Sequence, residues 1–218
     1  VVVMNRPSMP TRDCGDCRIS SRPSTGSSIT GTWESRCWSG RGRDPVNSNR
    51  PLVSVTIPAY NHESYVQMAI ESVMGQSYEN IELIVIDDGS TDKTADKIRT
   101  CCEKYKGRIR FVPQENRGLI RTLNLGLSLS KGEYWCQMAS DDFMDERNIE
   151  MKVRFLEEHE EFDAVCSDAL CLRPDQTVSR MIPEKVKPDP LRVDQVRDIF
   201  QVKMFFPSLL FRKNVFIS

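Results

Sequence analysis

No stretch of this 218-residue chain is apolar for anything near the ~18 residues that a membrane-spanning helix needs. The run Val1 to Val3 is broken by Asn5 and Arg6, too soon for the apolar core of a secretory leader. Charge of one sign is also missing. The net charge of −1 sets up no field that would favour nucleic acid or an anionic membrane as the main partner. No G-x-G-x-x-G follows a strand pattern, which excludes a dinucleotide dehydrogenase, and no Gly-Lys-Ser/Thr is present, which excludes a P-loop enzyme. Histidine is scarce, at two residues. His62 lies at the mouth of a helix pattern and is expected to make a cap or surface contact; His159 sits among Glu157, Glu158, Glu160 and Glu161, a solvated surface.

Lysine is absent from residues 1 to 50, which instead hold eight arginines against four acids among many Ser, Gly, Thr and Pro. Apolar periodicity does not survive there beyond three residues, so the stretch is expected to be disordered or a non-native N-terminal extension. Cys14-Gly-Asp-Cys17 has zinc-knuckle spacing and Cys37 adds a thiol, but a structural zinc site takes four ligands and no second pair or histidine is near. Cys101, Cys102, Cys136, Cys166 and Cys171 fall in helix and strand patterns and are read as reduced thiols.

From Pro51 the pattern changes. Leu52 to Ile57 reads as a strand stopped by Pro58-Ala-Tyr-Asn61, followed by a helix with Val66, Ala69, Ile70, Val73 and Met74 on one stripe. Ile81 to Ile86 is a short apolar run of the kind buried on both faces of a parallel sheet. A helix over 93–106, a strand over 108–112, a helix with Ile120, Leu123 and Leu127 inward, and a strand over 133–138 come next. A helix from Asp145 with Ile149, Val153 and Leu156 inward leads to a fifth strand, Ala164 to Leu172. A Pro-rich stretch, a short helix over 192–200 and an apolar segment over 205–211 close the chain. Strand–helix alternation argues for a mainly parallel sheet covered on both faces, an α/β/α sandwich over residues 51–218. Right-handed crossovers put the strand ends on one rim.

Two acidic pairs then share that rim. Asp87 and Asp88 follow the second strand, and Asp141 and Asp142 follow the fourth. Ligands of open α/β sheets bind outside the carboxyl ends of the strands. Hard divalent cations such as Mg2+ and Mn2+ take carboxylate oxygens and keep phosphates as further ligands. One pair therefore suits a metal–diphosphate and the other a nucleoside, with Tyr60 offering a face for a base. Helix capping alone would account for one acid after the fourth strand.

VSVTIPAYN, IELIVIDDGSTD, ENRGL and KGEYWCQMASDD, in this order, make residues 51 to about 172 resemble a family 2 glycosyltransferase of the Rossmann-like GT-A fold. The resemblance implies an inverting transfer from a nucleotide-sugar donor, UDP-linked above all, to a saccharide or lipid-linked acceptor, of the kind used in cell wall or polysaccharide biosynthesis. It implies Pro58, Ala59 and Tyr60 lining the nucleoside pocket, Glu63 near it, and Asp88 reading uracil. Asn116, Arg117 and Gly118 flank the donor, with Arg117 reaching a phosphate. Asp141 meets ribose or metal, and Asp142, ending a DxD-like motif, holds Mn2+ or Mg2+. Ala139 stands where such enzymes often carry an acid. The general base belongs to an acidic element that follows a segment like Phe206 to Arg212, and is expected beyond Ser218, so the domain is expected to be C-terminally truncated. Asp194 and Asp198 are acids on an expected solvated helix face.

The rivals are a sugar-phosphate nucleotidyltransferase, which wants a Gly-rich basic loop where Pro58-Ala-Tyr-Asn61 stands, and a receiver module, whose acid pair follows its first strand. A donor-binding domain without transfer is the third. The expected location is cytoplasmic, with peripheral contact at the inner face of a membrane, and without nucleic acid as a partner.

Overall fold

A computed structural model describes residues 2–5, 50–167, 169–172, 178–180 and 209–216. Most of the Pro-rich stretch, the expected helix over 192–200, Asp194, Asp198 and the Cys14–Cys17 pair lie outside these residues. Strands β2 (Val53–Ala59), β3 (Ile81–Asp88), β4 (Ile109–Gln114) and β5 (Tyr134–Gln137) alternate with helices α1 (Val66–Met74), α2 (Thr94–Lys104) and α3 (Leu119–Leu129). Helix α4 (Asn148–Glu158) leads to β6 (Phe162–Cys166). With the edge strand β1 (Val2–Asn5) and the late strand β9 (Leu209–Arg212), the sheet order is β1-β6-β9-β5-β2-β3-β4.

β5-β2-β3-β4 is a parallel block. β9 runs antiparallel to both β5 and β6, so those two point the same way, and the five strands from β2 to β6 share one direction. The expected fifth strand is broken: β6 ends at Cys166, and Leu170–Leu172 (β7) pairs instead with Val178–Arg180 (β8) in a separate two-stranded ribbon. Four residues of the expected unstructured tail also depart from that expectation. Val2–Asn5 pairs antiparallel with β6, because the run Val-Val-Met has strand propensity and β6 offers a free edge.

The core follows the alternation along each strand. Val53, Val55 and Ile57 of β2 and Leu83 and Val85 of β3 point to the face covered by α1, α2 and α4, where Ile70, Ile98, Ile149 and Leu156 are fully buried. The opposite face carries Ser54 and Thr56 beneath α3, with Trp135 donating from Nε1 to Thr56 Oγ1 at 3.0 Å. Here α3 is turned from its expected setting: Thr122 and Gly126 face inward, Leu123 and Leu127 are half-buried, and Ile120 is 77 % exposed. A Cβ on Gly126 would lie 2.3 Å from Thr56 Cγ2, so the helix comes closer to β2 than a leucine stripe would allow. The segment expected merely as apolar becomes β9, held by Arg212, whose guanidinium donates to the carbonyls of Phe162 (3.1 Å) and Leu156 and to Tyr134 Oη (2.8 Å).

Candidate active site

β2 has β3 on one side and β5 on the other: the chain builds outward through β3 and β4 and then crosses back to place β5 on the far side of β2. The crevice at such a switch point, beyond the carboxyl ends of the strands, is where open α/β sheets hold ligands. Tyr60 follows β2, Asp88 ends β3 and the Asp141–Asp142 pair follows β5 on this rim.

The loop after β2 is locked to the loop after β3. Asn61 sits at φ 53°, a left-handed setting that asparagine tolerates, and its Oδ1 accepts the Thr91 N–H at 2.8 Å. Its own N–H donates to Ser90 Oγ at 2.9 Å. Glu63 and the start of α2 exchange bonds: Lys93 N donates to Glu63 Oε2 (2.8 Å) and Glu63 N donates to Asp92 Oδ2 (3.1 Å). The Glu63 carboxylate therefore holds the loop, while Tyr60 projects outward at 46 % exposure and Ala59 is buried beside Asp87 in the β2–β3 register.

The first acidic pair divides its tasks. Asp87 is buried and accepts the Ser90 hydroxyl, closing the turn through Gly89. Asp88, also buried, reaches the other way. Its Oδ1 accepts from Gln114 Nε2 (2.6 Å) and Arg117 N (2.8 Å), and its Oδ2 from Gly118 N (2.9 Å). Burial would raise its pKa, but bonds from the Arg117 N–H, the Gln114 amide, the Gly118 N–H and Thr122 outweigh it and hold the carboxyl below the ordinary range. Gly89 makes this approach possible: at φ 77° its missing Cβ would stand 2.7 Å from Asn116 N. Arg117 is thus placed by its backbone, and its side chain is exposed.

The second pair lies in a turn closed by Asp142 N donating to Ala139 O at 3.3 Å. Asp141 is exposed and Asp142 half-buried. Burial, and then the charge of Asp141, raise the Asp142 pKa. Among the described residues no group of three metal-ligating side chains is assembled. Two oxygen donors that repel each other nevertheless fit a hard cation that completes its shell with phosphate oxygens.

Of the expected site residues, the structure joins Asp88 with the 116–118 loop and places Pro58, Ala59 and Tyr60 on β2 and its end. Glu63 is tied to α2. Gln114 and Thr122 were not foreseen. The signal for Gln114 is its register opposite Asp88 on β4. His62 was read as a surface or cap contact; its ring is bonded to Ser140, next to the acidic pair.

Residues 54–212 match the family model described as glycosyl transferase family 2. A Haemophilus influenzae protein described as an uncharacterized glycosyltransferase is 41 % identical over 108 residues, covering 50 % of this chain and 43 % of its own. Among solved structures, the mannosyltransferase PcManGT from Pyrobaculum calidifontis, in complex with GDP-Man and Mn2+, overlays with a TM-score of 0.58 at 20 % identity. The overlay covers 78 % of this chain and 47 % of that one. S. aureus TarS 1–349 in complex with UDP-GlcNAc gives 0.56 at 22 % identity, over 76 % of this chain and 46 % of that one. The chain thus spans less than half the length of these relatives. With the motif order, the rim geometry and the family match in agreement, the chain belongs to glycosyl transferase family 2 and has the GT-A fold.

Proposed function

We propose that this chain carries the donor half of a glycosyltransferase that takes a sugar from a UDP-sugar, with inversion, to a saccharide or lipid-linked acceptor. The observation that carries the reading is the pair of acidic elements on one switch-point rim, one whose carboxylate is clasped by Gln114 and the 116–118 loop and one whose carboxylates are left unclasped. Asp88 is held ionised and leaves unused acceptor capacity on Oδ2, which suits the N–H of a pyrimidine ring. Pro58, Ala59 and Tyr60 border the same crevice, and Tyr60 suits stacking on a base. Arg117, fixed by its backbone, suits a phosphate. Asp141 and Asp142 would hold Mn2+ or Mg2+, which when bound stabilises the charge of a departing diphosphate. No described residue is assigned as general base. Related proteins that bind GDP-Man with Mn2+ and UDP-GlcNAc support the donor class. Among the described residues no helix is long and apolar enough to cross a membrane.

The test is a thermal melt of the chain with UDP and Mn2+, paired with a turnover assay. Ligand at a hundred times its Kd adds ~2.7 kcal/mol, roughly 5–11 °C for a domain of this size. The shift should need the cation and be smaller with GDP or ADP. No shift with any nucleoside diphosphate overturns the reading. A shift without turnover is what a donor half predicts; no turnover by a version extended past Ser218 as well favours a donor-binding domain.

A further inference from the structure

The segment from Ser140 to Glu150 carries the second acidic pair and is fastened along its length to α1 and its flanks. Met144 N donates to Ser72 Oγ at 3.1 Å. Gln76, nine-tenths buried, uses both ends of its amide: Nε2 donates to Asp145 O at 2.7 Å and Oε1 accepts Ile149 N at 3.1 Å. Ser77 N donates to Glu146 O and Ser77 Oγ to Glu150, at 2.8 and 2.7 Å. These anchors lie after the acids. The anchor at the turn itself is His62, whose Nδ1 shares a hydrogen bond with Ser140 Oγ at 2.7 Å.

His62 is itself fixed on three sides. Its N–H donates to Thr94 Oγ1 at 2.8 Å, and its carbonyl accepts the N–H groups of Tyr65 and Val66, both at 3.0 Å, at the start of α1. Its ring packs edge-on against Tyr65. Ser140 is 2 % exposed and is the first central residue of the turn Ala139–Asp142; Asp141 is the second. A bond to that first residue sets the tilt of the turn, and hence the direction of both carboxylates. The other bond that closes the turn is the long one from Asp142 N to Ala139 O at 3.3 Å, so the shorter His62–Ser140 bond is the side-chain hold on its position.

We propose that His62 is a positioning residue for the donor reaction, acting through Ser140 to hold Asp141 and Asp142 in the orientation that takes a divalent cation on a nucleoside diphosphate. This rests on the functional reading above. In this role His62 acts through its bond to Ser140 and is not itself a ligand. Removing it loosens the acids without removing a ligand, and groups that orient metal ligands typically contribute ~10–100-fold in metal affinity.

The experiment is calorimetric titration of UDP into the 218-residue chain over a series of Mn2+ concentrations, for wild type, His62→Ala, Ser140→Ala, the double variant and His62→Asn. Each single alanine variant should raise the Mn2+ concentration for half-maximal UDP binding about tenfold, at the low end of that range. The double variant should be no worse than either single one, since both remove one bond. His62→Asn, whose amide reaches a similar place, should recover to within about threefold. Cation-free UDP affinity should stay as in wild type, and the ligand-free melting point should fall by no more than the roughly 2–4 °C expected for one lost hydrogen bond, whereas a merely structural loss would weaken UDP binding with and without the cation. Should His62→Ala not fold, Ser140→Ala cuts the same bond from the other side. Unchanged Mn2+ dependence in both, or additive losses in the double variant, overturns the proposal while leaving the donor reading intact. Absence of cation-dependent UDP binding in wild type overturns both.

Discussion

The amide of Gly118 donates to Oδ2 of Asp88 at 2.9 Å across 30 residues of chain, and so ties the start of α3 to the end of β3. With the bonds from Gln114 and Arg117, this makes Asp88 a clasp as well as a candidate donor contact. Asp88→Asn would present an N–H where an acceptor is needed. Loss of charge-assisted bonds to a buried carboxylate is worth about 2 kcal/mol, roughly 4–8 °C in the melting point. The variant should therefore melt lower even without ligand. An unchanged melt with weaker UDP binding would mean the clasp is unimportant.

Acid should find the same clasp. A carboxyl held below its ordinary pKa contributes stability that is complete above the unfolded value, about 3.9, and is lost as pH falls through the folded value. Asp92 is depressed as well, with burial opposed by the Thr94 hydroxyl and N–H and by the Glu63 N–H. Denaturant midpoints measured below about pH 4 should fall more steeply for wild type than for Asp88→Asn. Parallel curves would contradict this.

Asp142 has the opposite sign. Its raised pKa means that burial and Asp141 disfavour the charged form in the folded chain, so ionisation works against stability as pH rises. Asp142→Asn should therefore melt no lower than wild type without ligand, yet lose the cation dependence of UDP binding. A clear loss of ligand-free stability would show that the carboxylate has a structural role instead.

Gly89→Ala asks an alanine to hold φ 77° with its Cβ 2.7 Å from Asn116 N. Left-handed backbone costs ~1–2 kcal/mol before the clash is counted. The melting point should drop by at least roughly 2–8 °C, and UDP affinity should fall with it because the 116–118 loop is displaced. Calorimetry and UDP titration on one preparation check both.

Arg212→Lys removes the planar fork that reaches Phe162, Leu156 and Tyr134 together, although the charge is kept. A loss of about 2 kcal/mol is expected, with Arg212→Ala worse. Equal stability of Lys and Arg forms would reduce the contact to charge alone.

The strands and helices from β2 to β5 were legible because their apolar periods are clean and their stops are Pro, Gly or acid clusters. Ile57-Pro58 and Ile86-Asp87 give each strand end to within two residues, since β2 runs on to Ala59 and β3 to Asp88. The role of Asp88 as a clasp was not legible, since its partners lie 26 to 30 residues downstream and two are backbone N–H groups. Ile120 was misread because helical period alone does not reveal that Gly126 brings α3 down onto Thr56. The site residues were legible as types on a rim, but the His62–Ser140 bond joins positions 78 residues apart and has no local signature.

β9 lies between β5 and β6, so each of those strands must wait for it to complete its pairing. About seventy residues separate the end of β5 from the start of β9, and at ~5–20 residues per second a ribosome takes ~4–14 s to supply them. During that interval the Trp135–Cys136 edge has β2 on one side and nothing on the other, an open template for any extended chain nearby. The nascent protein is therefore most exposed to mispairing and to capture by chaperones in the seconds before Leu209 emerges, after most of its donor rim has already been made.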